Sequence, residues 1–244
     1  MATVRDFYEY LNSIAPVETQ EEWDNSGMLV GDMNAEVSKA VVVLDIDITA
    51  VEKAKQLGAN LIISHHPVIF RAMKSFTKGS VPFELASSSI NAICCHTPLD
   101  MADGGTNDTL LSLLGFESYK TENTLLRYAD IPETDAEGIA QLLSEKLSTT
   151  VRYADAGKTI RKVAVCTGSG ASLLFEAGDI DAFITGDAKH NDFLDAVSAG
   201  VSLFAAGHYE TEFPVVPVIA KLLNEKFPTT EVVDIKQENP VKFA

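Results

Sequence analysis

The sequence predicts an α/β protein, and three observations carry that expectation. Short apolar, β-branched runs alternate with amphipathic helical stretches. Glycine or proline punctuates most junctions between them. The 244 residues are 46% hydrophobic and 22% charged, an ordinary globular composition with room for one large domain or two of about 120 residues.

The elements follow in order. Residues 5–16 read as a short amphipathic helix ended by Pro16. A polar, turn-rich loop, Glu21-Glu22-Trp23-Asp24-Asn25-Ser26-Gly27, holds the only tryptophan. Ala40–Ile46 is a continuous apolar strand, as in a sheet covered on both faces. Thr49–Leu57 is a helix, with Thr49 as candidate N-cap, Glu52 as its capping-box partner and Gly58 just past its end. Asn60–Ser64 and Asn91–Cys95 are strands, separated by a helix over Val81–Ser88. Asp103–Asp108 is a turn that opens a helix over Thr109–Leu114. The second half repeats the pattern, with helices over Asp135–Leu147, Leu173–Ala177, Phe193–Ala199 and Pro214–Asn224. Its strands are Lys162–Cys166, Ala182–Thr185, Val201–Ala206 and Glu231–Ile235. Largely parallel pairing is expected. The spacing from Val41-Val42-Val43 to Asn60–Ile63 echoes that from Val163-Ala164-Val165 to Asp181–Ile184, which fits a duplicated half or generic βαβ spacing equally well. Residues 117–134 are the most polar stretch. They place the boundary between a first half, 1–118, and a second, 119–244, whose C-terminal segment can pack back on the first.

Charge and cysteine usage narrow the function classes. With 19 Lys+Arg against 35 Asp+Glu, the formal charge is −16, which disfavours nucleic acid as a partner because phosphate contact needs cations. A strip of Arg71, Lys74 and Lys78 is the one local exception. No basic n-region precedes an apolar run at the start, and no apolar stretch approaches about 18 residues, so neither a signal peptide nor a membrane span is expected. Three cysteines, Cys94, Cys95 and Cys166, lack framework spacing, which points to buried thiols in a reducing, cytoplasmic setting.

The histidines carry the chemistry. Of the five, His65, His66, His96 and His208 lie just past the C-terminal ends of apolar strands, where open α/β sheets build their ligand crevices. Asp100 lies four residues after His96, and Glu212 four after His208. Imidazole with carboxylate suits zinc, iron, manganese or nickel rather than a thiolate cluster. Adjacent His65 and His66 can serve neighbouring ions if the backbone turns there, and Pro67 favours such a turn. Pro214 pushes Phe213 away from helical geometry, so Glu212 is expected at a loop-to-helix entry. His96 is open between ligand, ligand support and proton shuttle. His190, in Gly186-Asp187-Ala188-Lys189-His190-Asn191, is the other acid–base candidate.

These residues sit in four segments: Trp23-Asp24-Asn25-Ser26-Gly27, Ser64-His65-His66-Pro67, His96-Thr97-Pro98-Leu99-Asp100 and Gly207-His208-Tyr209-Glu210-Thr211-Glu212. In this order they resemble the Nif-three-like dinuclear metal-centre proteins, also called GTP cyclohydrolase type 2 homologues, in the short form without an inserted domain. The resemblance implies a three-layer α/β/α protein of two related halves with the metal site between them, assembled as a toroidal hexamer, a trimer of dimers. It implies His65, His66, Asp100, His208 and Glu212 as ligands of two divalent ions per subunit, with Glu212 bridging. The chain departs from the usual pattern at Pro98, where an Asn is common, and at Asn191, where many relatives carry a second His.

The reading that follows is a metal-dependent hydrolase with His96 and His190 as catalytic acid–base residues, acting on a purine nucleotide or another small phosphoester. The rival is a non-catalytic metal-binding scaffold or regulator. Thr167-Gly168-Ser169-Gly170 reads as a plain strand–helix turn or an anion cradle without a P-loop lysine. Trp23-Asp24-Asn25 reads either as a capped loop with a core tryptophan or as a base-stacking loop.

Overall fold

In the computed structural model, which describes residues 1–119 and 125–242, the chain forms two compact units. One comprises Met1–Ala102 with Val216–Ala244, the other Asp103–Val215. Each is built on a five-stranded mixed sheet, mostly parallel in the first unit and parallel only at its centre in the second.

The first unit holds strands β1 (Gly27–Val30), β2 (Lys39–Val43), β3 (Leu61–Ser64), β4 (Asn91–Cys94) and β10 (Glu231–Asp234). Their order is β1-β4-β3-β2-β10. All neighbours run parallel except the edge pair of β1 and β4. The β-branched run Val41-Val42-Val43 is buried throughout, because one residue set meets each face of the sheet. Val41, Val43, Ile62 and Ala92 pack with Ala50, Val51 and Ala54 of α2 (Ile48–Leu57) and Leu85 of α3 (Val81–Ser87). Ala40, Val42, Leu61, Ile63 and Ile93, on the opposite face, are equally buried. Helices α1 (Val4–Ile14) and α9 (Val215–Lys226) supply further apolar cover, and Phe7 of α1 stacks on Phe227 just past α9 at 4.0 Å.

Local chemistry sets the ends of these elements. The cap of α2 is Asp47, whose carboxylate accepts the Ala50 N–H at 2.6 Å; the expected Thr49 is already inside the helix. An acidic side chain two residues earlier wins because it closes the Asx cap at the positive end of the helix. Gly58 ends α2 in the left-handed region, φ +69°. β2 stops at Val43, short of the expected Ile46, because the Leu44 and Asp45 amides donate to Gln237 Oε1 instead of continuing the ladder.

The second unit orders its strands β5-β7-β8-β9-β6, with β5 (Arg127–Thr134), β6 (Arg152–Ala154), β7 (Ile160–Cys166), β8 (Ala182–Thr185) and β9 (Ser202–Ala205). β7, β8 and β9 are parallel, and both edges are antiparallel. Here three layers are evident. Val163, Val165, Ala182, Ile184 and Phe204 pack under α5 (Thr106–Leu114) and α6 (Ala136–Leu147). Ala164, Cys166, Phe183 and Leu203 pack against the 3-10 turn Gly170–Glu176 and α7 (His190–Ser198). β5 falls in the stretch read from sequence as polar boundary. It is an edge strand that buries Ala129 on one face and Tyr128 on the other while Asp130 and Glu133 are exposed. Residues 120–124 of that stretch lie outside the described residues.

The sequence echo has a topological counterpart. Each unit runs three sequential parallel strands side by side, β2-β3-β4 and β7-β8-β9. An antiparallel edge strand flanks the third in each case, β1 against β4 and β6 against β9. The two halves are related in this sense, and three-strand order is a stronger match than residue spacing alone.

The second unit buries an arginine–carboxylate contact. Arg127, 1% exposed at its side chain, pairs through Nε with Asp108 Oδ1 at 3.0 Å. Arg161 and Glu133 meet at 2.7 Å on the surface, each 62% exposed. Asp108→Ala is expected to cost about 3 kcal/mol, since it strips the carboxylate from a buried guanidinium. Arg161→Ala is expected to cost under about 1 kcal/mol. Urea midpoints at unchanged slope measure both, and equal shifts would contradict this ranking.

Candidate functional site

In both units, strand ends supply the chemistry. β3 ends at Ser64, so His65 and His66 emerge at its carboxyl end, and β4 delivers His96 beside them. The short helix α4 (Thr97–Met101) follows at once, with Pro98 in its first turn, and carries Asp100. His65 and His66 would face opposite ways in a regular strand. The chain turns at Pro67, and their ring centroids lie 5.0 Å apart. His96 lies 5.2 Å from His65 and 5.5 Å from His66. The three imidazoles can each direct one nitrogen to a common spot, with ligand atoms within 4.8 Å of one another. Asp100 Oδ1 stands 3.6 Å from His65 Nε2.

Each ring is held by its other nitrogen. His65 Nδ1 meets the Cys95 carbonyl at 2.9 Å, His66 Nδ1 meets Asp45 Oδ1 at 2.8 Å, and His96 Nδ1 meets Asp24 Oδ1 at 2.7 Å. A carbonyl or carboxylate oxygen can only accept. Each Nδ1 therefore carries the hydrogen, and the lone pair of the neutral ring falls on Nε2. This is the arrangement that metal-binding histidines need.

Asp24 anchors more than His96. It accepts the Thr97 hydroxyl at 2.5 Å, the Thr97 amide at 3.1 Å and the Ser26 hydroxyl at 3.0 Å. Burial alone would raise its pKa; the hydrogen bonds from His96 and Thr97 hold it well below the usual carboxylate range. Ser26 in turn accepts the His96 amide at 3.0 Å, and Asn25 Nδ2 donates to the Ile69 carbonyl at 2.5 Å. The polar side chains of the Trp23–Gly27 loop are thus a clamp on His96 and on the segment after His66. Trp23 is 55% exposed, so the core-tryptophan expectation is overturned.

The second unit repeats the device. Gly207, at φ +93°, turns β9 into α8 (His208–Glu212). His208 Nδ1 meets Asp187 Oδ2 at 2.7 Å, and its Nε2 stands 3.2 Å from Glu212 Oε2. Ser169 Oγ donates to Asp187 at 3.2 Å. Glu212 is buried. It shares a helical face with His208, which corrects the expected loop entry. Phe213 stays helical, φ −52° and ψ −33°, despite Pro214, because its amide bonds Tyr209 and the Thr211 hydroxyl bonds the Gly207 carbonyl.

The Thr167–Gly170 turn spends its amides internally: Thr167 on Asn107 Oδ1, Gly168 on Thr211 Oγ1 and Gly170 on Thr185 Oγ1. It is a structural turn. Gly168 has a further reason to lack a side chain. At φ +59°, a Cβ there would collide with the Glu212 carboxylate and stand 3.2 Å from His208 Nε2. The glycine makes a cradle for the two donors.

His190 is the first residue of α7 and is exposed. It is not brought into the histidine cluster. Cys94 and Cys95 are free and buried. Burial pushes the Cys95 thiol up to about 12, and burial together with the neighbouring Cys95 and Asp24 raises Cys94, so both stay protonated and poorly suited to ligation. Sequence reasoning missed Asp45 and Asp187 as ring holders, and saw Asp24 only as part of a capped or base-stacking loop. Asp45 and Asp187 each lie two residues past a parallel strand, which is the signal that could have found them.

Within each unit, imidazole Nε2 lone pairs beside a carboxylate (His65 and His66 with Asp100 in the first, His208 with Glu212 in the second) are borderline-hard donors of the kind that fits zinc, iron or manganese. Gly168→Ala is expected to lower metal uptake at least tenfold by displacing Glu212. Gly58→Ala imposes a similar left-handed strain, φ +69°, with nothing within 4 Å of the new Cβ, and is expected to leave uptake unchanged. Cobalt titration of both variants measures this; equal losses would mean that strain alone is at work.

The chain is similar to known proteins over nearly its whole length. The family described as Duf34/NIF3 (NGG1p interacting factor 3) matches residues 2–240. A Campylobacter jejuni protein named GTP cyclohydrolase 1 type 2 homolog is 33% identical over 245 residues, covering 98% of each chain. A Helicobacter pylori protein named GTP cyclohydrolase 1 type 2 is 31% identical, covering 92% of this chain and 93% of that one. The crystal structure of the Staphylococcus aureus hypothetical protein SA1388 superposes with a TM-score of 0.92 at 26% identity, covering 99% of each chain. The chain belongs to the Duf34/NIF3 family.

Proposed function

We propose that the chain is a metal-dependent hydrolase with a dinuclear metal centre. One observation carries the reading: four imidazoles at strand ends have Nδ1 tied to an oxygen acceptor, which leaves Nε2 as the donor atom in every case. In this reading His65, His66 and Asp100 of the first unit, and His208 and Glu212 of the second, ligate two divalent ions, zinc, iron or manganese. The family resemblance supports Glu212 as the carboxylate that the two ions would share.

When bound, such ions supply Lewis acidity and bring the ionisation of water toward neutral pH. The chain's own residues do the remaining work. Asp45, Asp187 and the Cys95 carbonyl hold the ligand rings and fix their tautomers. His96, oriented by Asp24, accepts or returns a proton at Nε2. Of the two acid–base candidates, His96 is favoured because it lies within the ring cluster, whereas His190 is exposed on α7.

The names of the Campylobacter jejuni and Helicobacter pylori relatives support a purine nucleotide as substrate, and a simpler phosphoester suits two ions as well. The family resemblance supports a homohexamer, a trimer of dimers. No helix among the described residues is long and apolar enough to cross a membrane. Three buried free thiols support a reducing compartment, and we assign the cytoplasm.

The test is a hydrolysis screen of GTP and phosphoesters with the metal-loaded wild type and His65→Ala. We expect metal-dependent turnover that falls at least 100-fold in the variant. No metal-dependent turnover in the wild type, with metal still bound, would contradict hydrolysis and favour a metal-binding scaffold.

A further inference from the structure

We infer that Trp23 and Phe70 form an aromatic platform for the base of a nucleotide, with the cationic segment after Phe70 receiving its phosphate. The inference rests on the hydrolase reading for the chemistry served. Its own evidence is separate.

Trp23 and Phe70 are 55% and 44% exposed. Their ring centroids lie 5.9 Å apart, and each meets His96, at 5.8 Å and 6.2 Å. Two large aromatic rings therefore stand in water beside His96, one ring of the histidine cluster. They are not loose. Asp24 and Ser26 fasten the Trp23 loop to residues 96–97, and the Asn25–Ile69 hydrogen bond fastens it to the backbone beside Phe70. Asp24 and Asn25 are thereby committed to structure, so contact with the edge of a base does not fall to them. Stacking does, because any base has a π-face and a fixed exposed ring asks for a planar partner.

Charge gives the second half of the ligand. Residues 66–83 carry Arg71, Lys74 and Lys78 and no carboxylate, in a chain of net charge −16. Residues 70–79 are exposed throughout. A planar ring system carrying a phosphate matches both the rings and the cations. A mononucleotide is favoured over a nucleic acid, because the platform offers two rings and the rest of the chain is acidic.

Trp23 is the only tryptophan, so its fluorescence reports the platform directly. The full, metal-loaded chain is titrated with GMP and, in parallel, with ribose 5-phosphate. Saturable quenching by GMP and none by ribose 5-phosphate is expected. By calorimetry, Trp23→Leu is expected to weaken GMP binding about tenfold, and Phe70→Leu several-fold, with metal content unchanged in both. Unchanged GMP affinity in Trp23→Leu, equal quenching by ribose 5-phosphate, or binding confined to a single-stranded DNA oligomer would each overturn the platform. Hydrolysis of bis(p-nitrophenyl) phosphate, which has no base, reads the metal chemistry alone. Its persistence without GMP binding would sink the platform and spare the hydrolase; GMP binding without it would do the reverse.

Discussion

The short hydrogen bond from an imidazole Nδ1 to an oxygen that can only accept is the constraint on which the candidate chemistry depends. A histidine at a strand end has two nitrogens, two tautomers and a rotatable ring. One acceptor removes all three freedoms together. It fixes the tautomer, aims Nε2 and raises the basicity of that nitrogen. The chain applies the device four times, with three carboxylates, Asp24, Asp45 and Asp187, and one backbone carbonyl, that of Cys95.

The fold makes this repetition economical. Parallel strands all end on the same side of a sheet, so the residues just past β2, β3 and β4, or just past β7, β8 and β9, are neighbours in space though far apart in sequence. An acceptor from one strand end can then hold a histidine from the next. Asp45 follows β2 and holds His66 after β3; Asp187 follows β8 and holds His208 after β9. The third parallel strand of each unit continues into a five-residue helix, α4 or α8, that brings a carboxylate four residues after its histidine. The correspondence between units is one of topology and of chemistry.

Much of this was legible in the sequence. Continuous valine runs announced strands covered on both faces, and histidines directly after them announced a sheet-edge site. The four-residue spacing to Asp100 and Glu212 marked the carboxylates. What escaped was of two kinds. Edge strands β5 and β6 are short or interrupted by polar residues, so no long apolar run marks them, and β1 offers only Met28-Leu29-Val30. The ring holders are single aspartates in turns, where an aspartate is common for unrelated reasons such as capping. Their partners lie between 21 and 72 residues away in the chain, and only the fold brings them together. The exposed tryptophan belongs to the same class: hydropathy favours its burial, and the polar clamp formed by Asp24 and Asn25 decides otherwise.

The most direct test of the central claim is elemental analysis of the full chain, reconstituted with zinc or manganese and dialysed, beside His65→Ala and His208→Ala. The account predicts about two equivalents per chain in the wild type, with clear loss in each variant. Wild-type protein that retains well under one equivalent, or variants that load as the wild type does, would contradict it.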